Sequence, residues 1–292
     1  MKVWEPFRSL LHQRIMRRIK VLVATLITGA LALSACGSGE VLDQPDVSTS
    51  SVLFQVSSEG GFVPVEWNLG RGPTFTLTDD GRLVFPGVTT LEYPGRLIPN
   101  YQVGHLSDEQ FAEVRRLLDE MDLGSITDEH DGSVVNVADA STEVIRYWDD
   151  EGVHRYSVYA LGITDEPRSE RTAAFSALFD YLHQISATID AEEYQPEQIR
   201  VVAGPDYEGQ DPQLVDIRPW PLDGENPDEW PEFATVAENQ VWTCKVFEGS
   251  VAETFSDATQ ATRWMHPTES GDAQNFNLLV RPLHPGEEGC EL

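Results

Sequence analysis

The sequence predicts an α+β protein, with an antiparallel sheet, amphipathic helices packed on it, and a smaller strand–helix–strand unit at the C-terminal end. Two observations carry this reading. Short runs of alternating apolar residues are punctuated by turns rich in Asp and Gly. Two longer stretches instead place apolar residues at the three- and four-residue spacing of a single helix face.

The elements follow in order. Regular structure begins with a strand at 52–56 (VLFQV) and a Gly60-Gly61 turn. Alternating residues at 74–78 (TFTLT) and 82–85 (RLVF) flank Asp79-Asp80-Gly81, and this pattern predicts a β-hairpin. Asp79 and Asp80 are read as turn formers rather than a catalytic pair. The first helix is marked at both ends. Ser107 and Gln110 form a capping box, Leu106 and Phe111 occupy the hydrophobic-staple positions, and Gly124 is the expected stop. Its buried stripe is Phe111, Val114, Leu117, Leu118 and Met121. Two strands, near 142–148 and 153–160, surround the Asp149-Asp150-Glu151-Gly152 turn. A second helix follows Ser169 with Phe175, Leu178, Leu182 and Ile185 on one face.

From about residue 204 the texture changes. Gly204-Pro205 and the segment 220–231 (WPLDGENPDEWP) are rich in Pro, Gly and acid, as in a surface loop or linker. A strand at 241–246 carries Cys244, a short helix is expected over 251–262, and a last strand at 276–280 leads into Arg281-Pro282-Leu283. The chain thus divides into an α+β domain at 51–203 and a smaller unit at 204–292.

Ahead of these lies an export signal. Arg14, Arg17, Arg18 and Lys20 precede the apolar run 21–33 (VLVATLITGALAL), which is too short to span a bilayer and long enough for a signal-peptide core. Met16-Arg17-Arg18 is a more typical start for such a signal than Met1. The stretch Leu33-Ser34-Ala35-Cys36 resembles the lipobox of bacterial lipoproteins. The resemblance implies cleavage after residue 35, acylation of the Cys36 thiol (palmitate being an expected acyl group) and anchorage on the outer face of the cytoplasmic membrane. Two acyl chains, at ~0.8 kcal/mol per buried CH₂, hold a protein stably where one holds it marginally. Residues 36–50 read as a flexible polar tether.

Discarding residues 1–35 removes six of the 20 Lys/Arg and one of the 49 Asp/Glu, leaving 14 bases against 48 acids and a formal charge of −34. Such a field repels nucleic acid and anionic lipid, so the membrane is met through the lipid on Cys36. The acidity is read as adaptation, for example to salt; a cationic partner is the other reading. With Cys36 on lipid, Cys244 and Cys290 remain for a disulfide in an oxidising compartment, or else stay as two buried thiols.

Gly60-Gly61-Phe62, the segment 73–82 (PTFTLTDDGR), Tyr93-Pro94-Gly95 and Val280-Arg281-Pro282-Leu283 with Cys290 together resemble a group of actinobacterial lipoproteins that carries no assigned activity. The resemblance implies the anchored location and the disulfide, and nothing about a reaction.

Catalytic motifs are not evident. There is no G-x-S-x-G elbow; Lys245 is the one lysine after residue 35, with no S-x-x-K before it. The histidines at 105, 130, 154, 183, 266 and 284 stand singly, without an H-E-x-x-H pair. No cofactor is expected; Asp128, Glu129, His130 and Asp131 are the candidate metal ligands, with Ca²⁺ the ion they would take. They lack the spacing of an EF-hand loop, and the competing reading is a solvated acidic loop. Asp223, Glu225, Asp228 and Glu229 form a second acidic loop. Within that loop, Trp220 and Trp230 are the candidate ligand-binding aromatics, since an exposed indole beside carboxylates suits a sugar-binding groove. The first functional expectation is a non-enzymatic, lipid-anchored envelope protein that binds an unidentified ligand. The alternative is an envelope hydrolase acting on sugar or peptide through Asp/Glu carboxylates, with or without a metal.

Overall fold

Alternating apolar residues in the first half of the chain build one face of a sheet. The structure, a computed structural model, describes residues 51–132, 137–163, 169–206, 215–237, 240–267 and 272–291. β1 (Val52–Gly60) leads through the short helix α1 (Val65–Gly70) into β2 (Phe75–Thr78) and β3 (Arg82–Pro86). There follow β4 (Tyr101–His105), α2 (Asp108–Met121), β5 (Asp128–Asp131), β6 (Ser141–Asp149), β7 (Gly152–Tyr159), α3 (Glu170–Ser186) and β8 (Ala191–Glu193). The strands pair in the order β5-β7-β6-β1-β2-β3-β4-β8, antiparallel except for β5 against β7. One face presents Phe54, Val56, Phe75, Leu77, Leu83, Phe85, Ile145, Tyr156 and Val158 to the apolar stripes of α2 and α3, closing the first core.

Local signals account for much of this. The β2–β3 hairpin turns at Gly81, whose φ of 88° is open to glycine at little cost. Both reciprocal bonds of the Ser107–Gln110 capping box form, at 3.2 and 2.8 Å. The end of α2 differs from expectation. Helix geometry stops at Met121, where Asp122 takes the left-handed conformation that a short polar side chain tolerates, and Gly124 falls in the following 3-10 turn.

The second sheet contains β9 (Gln198–Pro205), β10 (Asp216–Pro219), β11 (Glu232–Ala237), β12 (Gln240–Glu248), β13 (Thr262–Pro267) and β14 (Ala273–Pro282). Their order is β10-β13-β14-β9-β12-β11, antiparallel except for β10 against β13. Residues 198–203, assigned by texture to the first unit, belong to β9, an interior strand paired with both β14 and β12. The helix expected over 251–262 is a 3-10 helix at Gly249–Phe255, and Thr262 already opens β13. Two threonines divert the backbone there: Thr259 N–H donates to Thr262 Oγ1, and Ala261 N–H to Thr259 Oγ1.

Cys244 on β12 is bonded to Cys290, with Cα atoms 5.8 Å apart. This disulfide holds the tail against the sheet. The tail then crosses to the back of the first sheet, where Gln55 Nε2 donates to the Pro285 carbonyl and Thr76 Oγ1 hydrogen-bonds His284 Nδ1, both at 2.9 Å. Tyr194 donates its hydroxyl to the Leu283 carbonyl at 2.8 Å. A turn with Gly286 at φ 79° brings Glu287 back onto Arg281, which it grips at 2.7 Å through each carboxylate oxygen. Glu287 also accepts from the His284 backbone N–H at 2.8 Å. Arg200 lies directly across the ladder from Arg281 and donates to the carbonyls of Leu69, Arg71 and Gly289.

Candidate functional site

Two hollows on the surface bear on function, and the seam between the sheets has the strongest electrostatics. Burial pushes His284 down to about 3, an effect that neighbouring Arg281 reinforces. Burial, with Arg281 opposite, lowers Arg200 to about 9, and burial raises Tyr101 to about 12. Burial would also raise the Glu287 carboxyl, but its bonds to Arg281 outweigh that and hold it below the ordinary carboxylate range. Perturbed groups often mark active sites. Here they are enclosed: Arg200, Arg281 and His284 are each at most 4 % exposed. They join two sheets.

The first hollow, about 600 Å³, lies on the outer face of the first sheet. It is lined by two of the four expected metal ligands, Asp128 and His130. Residues 128–131 form a strand rather than a loop, and strand alternation sends Asp128 and His130 to the outer face and Glu129 and Asp131 to the other. Asp128 pairs with Arg155, Glu129 with Arg171, and Asp131 accepts from Thr172. The four side chains do not converge, and no group of three or more metal-ligating side chains occurs among the described residues. Glu59 bridges Arg146 and Arg155 at 3.2 and 3.1 Å, so the two carboxylates here are balanced by two guanidinium groups.

The sequence reading missed one constellation in this hollow. Ser157 Oγ lies 3.0 Å from His130 Nδ1, the contact expected of a serine nucleophile and its base. It arises because β5 pairs in parallel with β7, placing His130 directly opposite Ser157. No local signal could reveal a pair 27 residues apart. Ser157 is 1 % exposed and its hydroxyl donates to the Glu129 carbonyl, so it ties strand to strand and its oxygen is not presented to a substrate.

The second hollow, about 510 Å³, is formed where β10 meets β13. Backbone pairing runs one residue past β10, with Trp220 N–H donating to the Met265 carbonyl at 2.9 Å, and this sets the Trp220 indole over β13. His266 stands edge-on to that indole at 5.3 Å and Phe276 at 5.8 Å. Pro219, Leu222, Met265 and Pro267 add apolar wall, and Met265 is 41 % exposed. Asp223 and Glu225 reach the rim from a turn closed by Glu225 N–H to the Leu222 carbonyl. Lys245 and Trp230 Nε1 both donate to Glu225 and hold its carboxyl below the ordinary range.

The two tryptophans singled out together in the sequence therefore part company. Trp220 is half-buried and lines the hollow. Trp230 is 6 % exposed and belongs to the second core, where it packs 5.9 Å from Trp220 and orients Glu225. Cys36 lies outside the described residues.

Fold and site together define a two-sheet α+β protein with an aromatic, acid-rimmed groove. No protein-family model, curated protein or solved structure matches the chain.

Proposed function

We propose that this chain is a lipid-anchored, extracytoplasmic binding module, tethered through Cys36 and using the Trp220 groove to hold its ligand. The observation that carries the reading is that groove: a partly exposed indole with apolar walls, a fixed carboxylate at Glu225 and an exposed one at Asp223. Concave, mostly apolar sites with few polar groups are the usual form of a small-ligand site. The anchor rests on the Leu33-to-Cys36 stretch and its basic and apolar lead-in. In the two hollows Glu59 and Asp128 are paired with arginine and Glu225 with Lys245, which leaves Asp223 where a glycosidase uses two opposed carboxyl groups.

Fractionation tests the anchor. Expressed in a bacterium that processes lipoproteins, the wild-type chain partitions into membranes and the detergent phase, while Cys36→Ser appears in soluble fractions. A Cys36→Ser protein that stays with the membrane like the wild type refutes the anchor.

A further inference from the structure

We infer that the Trp220 groove takes an organic cation with an apolar body, of the alkyl- or arylammonium class; this rests on reading the groove as the binding site. Three features of the groove favour a cation over a neutral sugar. First, its lining includes the Trp220 indole, the side chain whose ring attracts a cation best. Second, the exposed polar side chain of the lining, Asp223, is an acceptor. That acceptor carries the local charge, because the half-buried Glu225 is balanced by Lys245, which donates to both of its oxygens. Asn226 gives one amide hydrogen to Glu229, and its oxygen accepts from the Asp228 N–H. A sugar hydroxyl needs donors as well as acceptors, whereas an ammonium group needs negative potential and a π face.

The third feature is the field. With a formal charge of −34 beyond residue 35, the protein attracts cations from every side, and the groove adds Asp223 at its mouth. The walls contributed by Leu222, Met265 and Pro267 accommodate the apolar part of the ligand. The outer-face hollow of the first sheet offers no such preference, because its two carboxylates face two arginines.

Calorimetry on the detergent-solubilised full chain tests this with benzyltrimethylammonium chloride, benzyl alcohol and N-acetylglucosamine as probes. The expected result is a Kd for the ammonium at least about tenfold below that of the neutral alcohol. Trp220→Ala weakens the ammonium roughly tenfold, and the exposed Asp223→Asn, which leaves the core untouched, weakens it about threefold. Raising NaCl from about 50 to 500 mM weakens it further. Equal binding of the alcohol, or preferred binding of the sugar, overturns the cation assignment and leaves the groove as a binding site. A wild-type protein that binds none of the three overturns the assignment and counts against the groove reading too. Unchanged affinity in both variants does the same.

Discussion

Acid weakens this protein through one histidine at the seam. His284 is 2 % exposed, bonded through Nδ1 to Thr76, and faced by the Arg281 guanidinium and the Glu287 carboxylate. Burial holds its folded-state value at about 3, against 6.5 for an unhindered imidazole. Below pH 6.5 the unfolded chain takes up a proton that the folded chain refuses, so stability falls with pH until the folded group titrates. Between pH 7 and 5 the loss amounts to about 2 kcal/mol, at ~1.4 kcal/mol per unit once the unfolded imidazole is charged. Glu287 acts in the same direction from the ordinary value of 4.5 down to its lowered value, so it adds little above pH 5. His154 acts oppositely. Its bonds to the Ile126 carbonyl and Asp149 raise its value, and this contribution is greatest at low pH and fades as pH rises. Urea denaturation of wild type and His284→Gln, followed by tryptophan fluorescence from pH 7 to 5, isolates the effect because His154 is common to both. The stability gap between them is expected to close by about 2 kcal/mol across that range. Parallel profiles would refute the reasoning.

Two further outcomes follow from local geometry. Cys290→Ser, or reduction of the wild type, removes a loop closure across 46 residues and costs up to about 4 kcal/mol, read as a lower denaturation midpoint; a midpoint insensitive to reductant would contradict this. Ser107→Ala deletes the hydroxyl that accepts the Gln110 N–H and costs about 1 kcal/mol, while Ser107→Asp keeps the cap and most of the stability.

What could be read from sequence was local. The hairpin at Gly81, the capping box at Ser107, and the pairing of Cys244 with Cys290 each follow from residues whose chemistry acts at short range or by small numbers. Among the strands that escaped notice, two are short and polar. β5 reads Asp-Glu-His-Asp and β8 reads Ala-Glu-Glu, with no apolar alternation, and each is a strand because a neighbour supplies its hydrogen-bond partners. In the seam, His284-Pro285-Gly286-Glu287 carries an evident turn signal in its Pro-Gly step. That the turn delivers Glu287 to Arg281 depends on where β14 ends, which no neighbouring residue specifies.

Trp220 and Trp230 show the same division. Ten residues apart in one proline-rich segment, they are equivalent by composition. The pairing of β10 with β13 places one in the lining of a groove, and packing against Phe247 makes the other part of a core.

By itself the sequence determined the class of fold and the acidity of the chain, because periodicity and charge are properties of the chain before it folds, and it offered the cysteine pair as one of two readings. Tertiary structure alone decided that β9 serves the second sheet, that the tail locks the two sheets through buried charge, and that an indole with two carboxylates forms one groove. These depend on contacts between residues far apart in the chain, and burial and register, which exist only in the folded state, set their chemistry.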